Sequence, residues 1–157
     1  AENLLMCVDY KAPLVSVGRT NIFPARKLLT PVMGDLEINE CAFYHTYLCK
    51  CPPLLNGEPR KPFGYELQNC FRHLQEEIAV LRPNAVLLLG HDTYLNVLPF
   101  LGIIVKRWQG FYFDIYQHAG INYVPVDHPA VVQKNIFKNY ETYIEGLCNV
   151  IKRCLQA

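Results

Sequence analysis

Along the chain, short apolar runs alternate with longer amphipathic stretches, the pattern that predicts an α/β domain. Leu4 to Val8 reads as a first strand. Pro24 opens a predicted helix carrying Ala25, Leu28, Leu29 and Val32, which Gly34-Asp35 ends. Ala42 to Leu48 alternates bulky residues and predicts a second strand. Four prolines and two glycines between Cys51 and Gly64 predict a loop. Leu67, Cys70, Phe71, Leu74, Ile78 and Leu81 then fall on one face of a helix that Arg82-Pro83 terminates. Ala85 to Leu89 is a continuous apolar run, expected of a parallel strand buried on both faces. Gly90-His91-Asp92-Thr93 leads into a helix through Leu98, with Asp92 or Thr93 as the expected N-cap. Ile103 to Val105 and Phe111 to Tyr116 predict short strands, and Ile121 to Val126 a last one. Ile136, Tyr140, Tyr143, Ile144, Leu147, Ile151 and Leu155 line one side of a terminal helix. The expectation is a single domain over residues 1–157: a three-layer α/β/α sandwich around a mostly parallel, four-stranded sheet.

Composition narrows the classes of function. The chain has 157 residues, of which 51% are hydrophobic and 18% charged, so it is long enough and apolar enough to fold around a core. No apolar run approaches the ~20 residues of a membrane span, and no charged-then-apolar leader predicts secretion. The net charge of +1 leaves any contact with nucleic acid to a local patch. Cysteine occurs seven times, at 7, 41, 49, 51, 70, 148 and 154. An odd count with no secretory signal points to reduced thiols in an intracellular compartment rather than to a disulfide framework.

A ligand is expected beyond the carboxyl ends of the parallel strands. Asp9 to Val17, Tyr47 to Pro53, Gly90 to Thr93 and Asp127 to Ala130 all arrive there. Neither GxGxxG nor GxxxxGK[ST] occurs, nor does a GxSxG elbow, so dinucleotide, P-loop and α/β-hydrolase chemistry have no motif behind them.

The segment from Tyr47 to Pro53 (YLCKCPP), followed by Pro62, Glu66, Cys70, Leu74 and the run from Arg82 to Gly90 (RPNAVLLLG), resembles the uracil-DNA glycosylase superfamily. The nearest pattern is that of its iron–sulfur branch, family 4: TNxxKCxPP and then RPKxxxxLG. Val124 to Ala130 (VPVDHPA) resembles the family's second catalytic motif, a strand ending in HPx. Val17-Gly18-Arg19 and Lys27-Leu28-Leu29 resemble its VGRxGxxLxxLL segment. The likeness runs over nearly the whole chain in the right order.

Several roles follow from that resemblance. Asp9 stands for the acidic residue of the family's GE-x-PG turn and would orient water or support an oxocarbenium-like sugar, whereas the alternative is a turn carboxylate. His128, held extended before Pro129, would stabilise the departing base, and otherwise caps a loop. Ser16 falls where the family has its uracil-stacking Phe, and Tyr47 where an Asn reads the base edge. Tyr10 offers a replacement stacking face, against the alternative of an ordinary surface or core Tyr. Lys50, Pro52, Pro53, Pro129, Ala130 and Val131 are the expected DNA contacts. Cys51 and Cys70 match the second cysteine pair of the iron–sulfur branch. A 4Fe–4S cluster is expected only if further Cys ligands lie upstream, and the alternative is a pair of core thiols.

Two functions compete. The first is a glycosylase that flips uracil or another damaged base of single- or double-stranded DNA into a pocket between Asp9 and His128. The second is a catalytically degenerate relative that binds DNA or a replication or repair protein, which Tyr47, Ser16 and the Phe111-Tyr112-Phe113 run would suit.

Overall fold

A computed structural model describes residues 3–11, 30–37, 42–51, 53–104, 113–128 and 140–156. The chain order is β1 (Leu5–Lys11), α1 (Thr30–Leu36), β2 (Phe43–Cys49), β3 (Leu54–Leu55), β4 (Glu58–Pro59), α2 (Gly64–Leu81), β5 (Ala85–Leu89), α3 (His91–Phe100), β6 (Tyr116–His118), β7 (Ile121–Val126) and α4 (Tyr140–Gln156). The architecture is α/β with a mostly parallel central sheet. Its strands are ordered β2-β1-β5-β7-β6, of which β6 alone runs antiparallel to its neighbour.

Strand alternation sorts the core into two layers. Leu5 and Cys7 of β1, Leu87 and Leu89 of β5, and Val124 and Val126 of β7 face α1 and α4, where Tyr143, Leu147 and Ile151 complete the cluster. Met6, Val8, Val86 and Leu88 face the other way, onto Leu67, Leu74 and Ile78 of α2 and Val97 and Leu98 of α3. All five residues of β5 are buried, as its unbroken apolar run requires of a strand covered on both faces.

The sheet has five strands, not the four expected. The extra strand, β6, is Tyr116-Gln117-His118, too polar to register as an apolar run. It folds onto β7 through Ala119 and Gly120, both at positive φ (51° and 79°), the backbone of a two-residue hairpin turn. Of the predicted strand at 111–116, residues 111 and 112 lie outside the described residues and only Tyr116 enters β6. Ile103 and Ile104 belong to no strand. They follow the αL turn at Gly102, and Ile104 is 91% exposed, so apolar composition alone does not recruit it to the sheet.

The helix predicted from Pro24 falls outside the described residues until Thr30. There α1 begins, with Pro31 in its first turn, where a missing N–H costs nothing. The predicted loop at 51–64 contains the β3–β4 hairpin, turned by Asn56 and Gly57 at φ 53° and 81°. The N-cap of α3 is Gly90, not Asp92 or Thr93. Asp92 stands in the first turn, where the helix dipole favours a carboxylate, and the Thr93 hydroxyl donates to the Leu89 carbonyl at 2.8 Å. At the other end of α2, Arg82 adopts the left-handed conformation (φ 45°) and its N–H closes onto the Ile78 carbonyl.

Candidate active site

The chain leaves β1 for β2 on one side and returns through α2 to β5 on the other. The strand order therefore switches beside β1, where open α/β sheets place their ligands. The β1–β5 ladder ends at Val8↔Leu88, while β1 continues beside β2 with Asp9 opposite Tyr47. Asp9 thus emerges past the end of β5, on the face shared with Cys7.

His128 reaches the same point from β7. Its Nε2 lies 3.0 Å from Asp9 Oδ2, spanning the end of the intervening β5. Gly90 makes that span possible. Its N–H donates to Val126 O at 2.8 Å, and its backbone (φ 94°, ψ 157°) is one that only glycine adopts without strain. A side chain there would also stand 3.6 Å from His128 Cβ, in ordinary contact, so the constraint is the backbone and not the space. Buried Tyr143 of α4 donates from its hydroxyl to Asp127 O at 2.8 Å and steadies the strand end that carries His128.

Asp9 Oδ1 accepts the Tyr10 amide at 2.8 Å. Burial pushes the Asp9 carboxyl upward, but the hydrogen bond and charge of His128, the Tyr10 amide and nearby His45 outweigh it. The net result lies below the ordinary carboxylate value. His45 sits on β2 opposite Cys7 and packs against Tyr47 with ring centroids 5.0 Å apart. Burial holds His45 below the usual histidine value; Asp9 pulls it up and His128 pushes it down. The Tyr47 phenol is pushed up by burial and by Asp9. His45 and Tyr143 are contributors that the chain pattern does not single out. The alternation of Phe43, His45 and Tyr47 shows a shared face, but not that Asp9 is the neighbour.

The other predicted site residues divide. Tyr10 turns to the opposite face and packs against the α2–α3 cluster, so the structure does not bring its ring to Asp9 and His128. Lys50 is drawn to the same α2 side, where its ammonium pairs with Glu77 and donates to the Thr46 hydroxyl. The Tyr44 hydroxyl donates to Glu77 Oε2 at 2.6 Å, which pushes the Tyr44 phenol up to about 12. Pro53 is buried, and its carbonyl accepts the Arg60 N–H at 3.1 Å. Ser16, Pro52, Pro129, Ala130 and Val131 lie outside the described residues.

Cys51 and Cys70 line a common groove of about 760 Å³ with Lys50 and His73, on the α2 side of β2. Cys49 adjoins them: its thiol donates to the Cys51 carbonyl at 3.2 Å and also meets Cys70. Burial and the Cys70 thiol raise Cys49 to about 11. Among the described residues, no group of three or more His, Cys, Asp or Glu side chains is placed to hold a metal ion. A cluster needs four thiolates, so this donor set does not fit one by itself, and no step below depends on it.

The sequence model of the Uracil DNA glycosylase superfamily matches residues 13–151, nearly the whole chain. The chain belongs to that superfamily. It is 29% identical over 122 residues to the type-5 uracil-DNA glycosylase of Pyrobaculum aerophilum, covering 78% of this chain and 50% of that protein. The type-4 uracil-DNA glycosylase of Archaeoglobus fulgidus is 24% identical over 119 residues, 73% of this chain and 58% of its own length. A type-4 enzyme of Pyrobaculum aerophilum is 25% identical over 123 residues, covering 73% and 59%. The chain spans about half the length of the curated relatives it matches. No helix among the described residues is long and apolar enough to cross a membrane.

Proposed function

We propose that this protein is a uracil-DNA glycosylase-like enzyme, one domain that hydrolyses the N-glycosidic bond of uracil or another damaged base in DNA. The observation that carries the reading is the 3.0 Å approach of His128 Nε2 to Asp9 Oδ2 at the switch point of a superfamily member. The bond to be broken is unreachable in a stacked duplex, so the target nucleotide is flipped out or presented on a single strand. Asp9, held as a carboxylate, orients the attacking water and supports positive charge on the sugar. His128 donates a hydrogen bond to the base as it departs with the bonding electrons. The free thiols Cys7, Cys49, Cys51, Cys70 and Cys154 suit a reducing, intracellular setting.

A second reading, a relative that keeps the fold to bind DNA or a replication or repair protein, is favoured by Tyr47. Tyr47 is the β2 register partner of Asp9, and by resemblance it falls where the family has its base-reading Asn. A phenol cannot supply the paired donor and acceptor of an Asn, and a site that loses such partners discriminates and binds poorly. Uracil release from labelled single- and double-stranded oligonucleotides decides between them. The glycosylase reading expects slow release by the wild type, a fall of ~100-fold or more in His128→Ala, and a rise of at least ~10-fold in Tyr47→Asn. No release by either the wild type or Tyr47→Asn leaves only the binding reading.

A further inference from the structure

Four large apolar side chains project into solvent next to the candidate site: Leu54 and Leu55 of β3, and Phe63 and Tyr65 at the start of α2. They stand at the carboxyl end of β2, the end of the sheet from which Asp9 and His128 emerge. The two rings are nearly parallel, tilted 19° with centroids 5.8 Å apart, and the Arg60 guanidinium lies over the Phe63 ring at 4.4 Å from its centroid. Phe63 thus stacks with both Arg60 and Tyr65. Phe63 is 51% exposed and Tyr65 65%.

The stack is held from beneath. Arg60 forks onto Glu66 at 2.7 and 2.9 Å and donates from Nε to Leu54 O at 3.0 Å. Glu66 in turn accepts the Phe63 amide at 2.8 Å. A carboxylate that spends both oxygens on this arrangement fixes the Arg60 guanidinium over Phe63 and the backbone that carries the ring. Fixed, exposed π faces bind flat ligands at low entropic cost.

We propose that the Arg60–Phe63–Tyr65 stack is a base-stacking platform for single-stranded DNA flanking the target nucleotide, with Leu54 and Leu55 as its apolar shoulder. Charge argues for bases over backbone. Arg60 is paired with Glu66, so its charge is largely spent within the patch rather than free to grip phosphates. Stacking tolerates any sequence because every base has a π face. The proposal rests on the DNA-acting reading above for its ligand, but not on catalysis.

Binding of fluorescein-labelled oligothymidylate and of a blunt duplex to the full chain, read by anisotropy, tests it. Wild type is expected to prefer the single strand, with a shallow salt dependence, since a patch that stacks on bases releases few counterions from the backbone. Tyr65→Ala is expected to weaken single-strand binding about tenfold, and Tyr65→Phe to restore it, since a ring suffices for stacking. Because Tyr65 is exposed, its truncation leaves the core intact, which a thermal melt checks. Uracil release at sub-saturating DNA should fall in Tyr65→Ala in step with its lost affinity and recover as DNA is raised, whereas His128→Ala should lose release at every DNA concentration and keep oligothymidylate affinity. That crossing separates failure of the platform from failure of the glycosylase reading. Equal affinities for wild type and Tyr65→Ala overturn the platform, as does wild-type failure to bind oligothymidylate at low salt, which would assign the patch to a protein partner.

Discussion

Asp9 and Glu77 are both largely buried carboxylates beside β2, both held below their ordinary range, and they differ in how their oxygens are occupied. Glu77 is surrounded. Its Oε2 accepts from Tyr44 and Thr46, and its Oε1 takes Lys50 and shares the Thr46 hydroxyl. Burial pushes the carboxyl up, and Lys50, Tyr44 and Thr46 together bring it below the usual value. These partners occupy both carboxylate oxygens, so the cluster is a cross-link between β2 and α2. Among the described residues, Asp9 has one amide and one imidazole. Its side-chain partner is a histidine, the residue type that ordinarily gains or loses a proton near neutrality. The more completely a buried carboxylate is satisfied, the more it serves the fold. One left with a titratable partner at a strand end is available for chemistry.

The largest expected effect separates the two by readout. Asp9→Asn should lower uracil release by ~100-fold or more with a smaller fall in the urea midpoint than Glu77→Gln gives, and Glu77→Gln should spare release at temperatures where the variant is folded. Equal damage to both readouts by both variants would erase the distinction. Next in size, Lys50→Met should leave Glu77 without its ammonium partner and cost about 1–3 kcal/mol of stability in urea titrations. No change there would mean that Tyr44 and Thr46 satisfy Glu77 alone and that Lys50 is available to DNA.

The smallest effect is on acid stability. Asp9 and Glu77 have folded values below their unfolded ones, so each contributes stability that is fully present above the unfolded value of ~4 and lost as pH falls through the folded value. Half-buried Glu66, brought to about 2 by Arg60, follows the same sign over 4.5 to 2. Urea midpoints should therefore fall progressively below about pH 4.5. The fall should be shallower in His128→Ala, which removes a cause of the Asp9 shift. A fall that starts nearer neutrality would show that histidine protonation governs acid stability instead.

Legibility in the sequence followed the range of the interactions. The buried strands β5 and β7, helix α2 and its termination at Arg82-Pro83, and the apolar face of α4 were all readable, because each is a local run or a period of many residues. The three-residue β6 and the two-residue β3 and β4 were not, since their pairing rests on positive-φ turns rather than on apolar pattern. Asp9 and His128 were legible as strand-end residues by resemblance. The faces of Tyr10 and Lys50 were not, because alternation says which residues share a side and not which side meets the site.

By itself, then, the amino-acid sequence determined the family and the α/β class, through local periodicity and motif order, and offered Asp9 and His128 as candidates for chemistry. The tertiary structure alone decided that Asp9 meets His128 across 119 positions, that Gly90 supplies the positive-φ backbone between β5 and α3 beside them, and that Lys50 turns to Glu77. The physical reason is that strand order and crossover side are set by packing the whole sheet between its helices. No window of the chain shorter than the sheet contains that information.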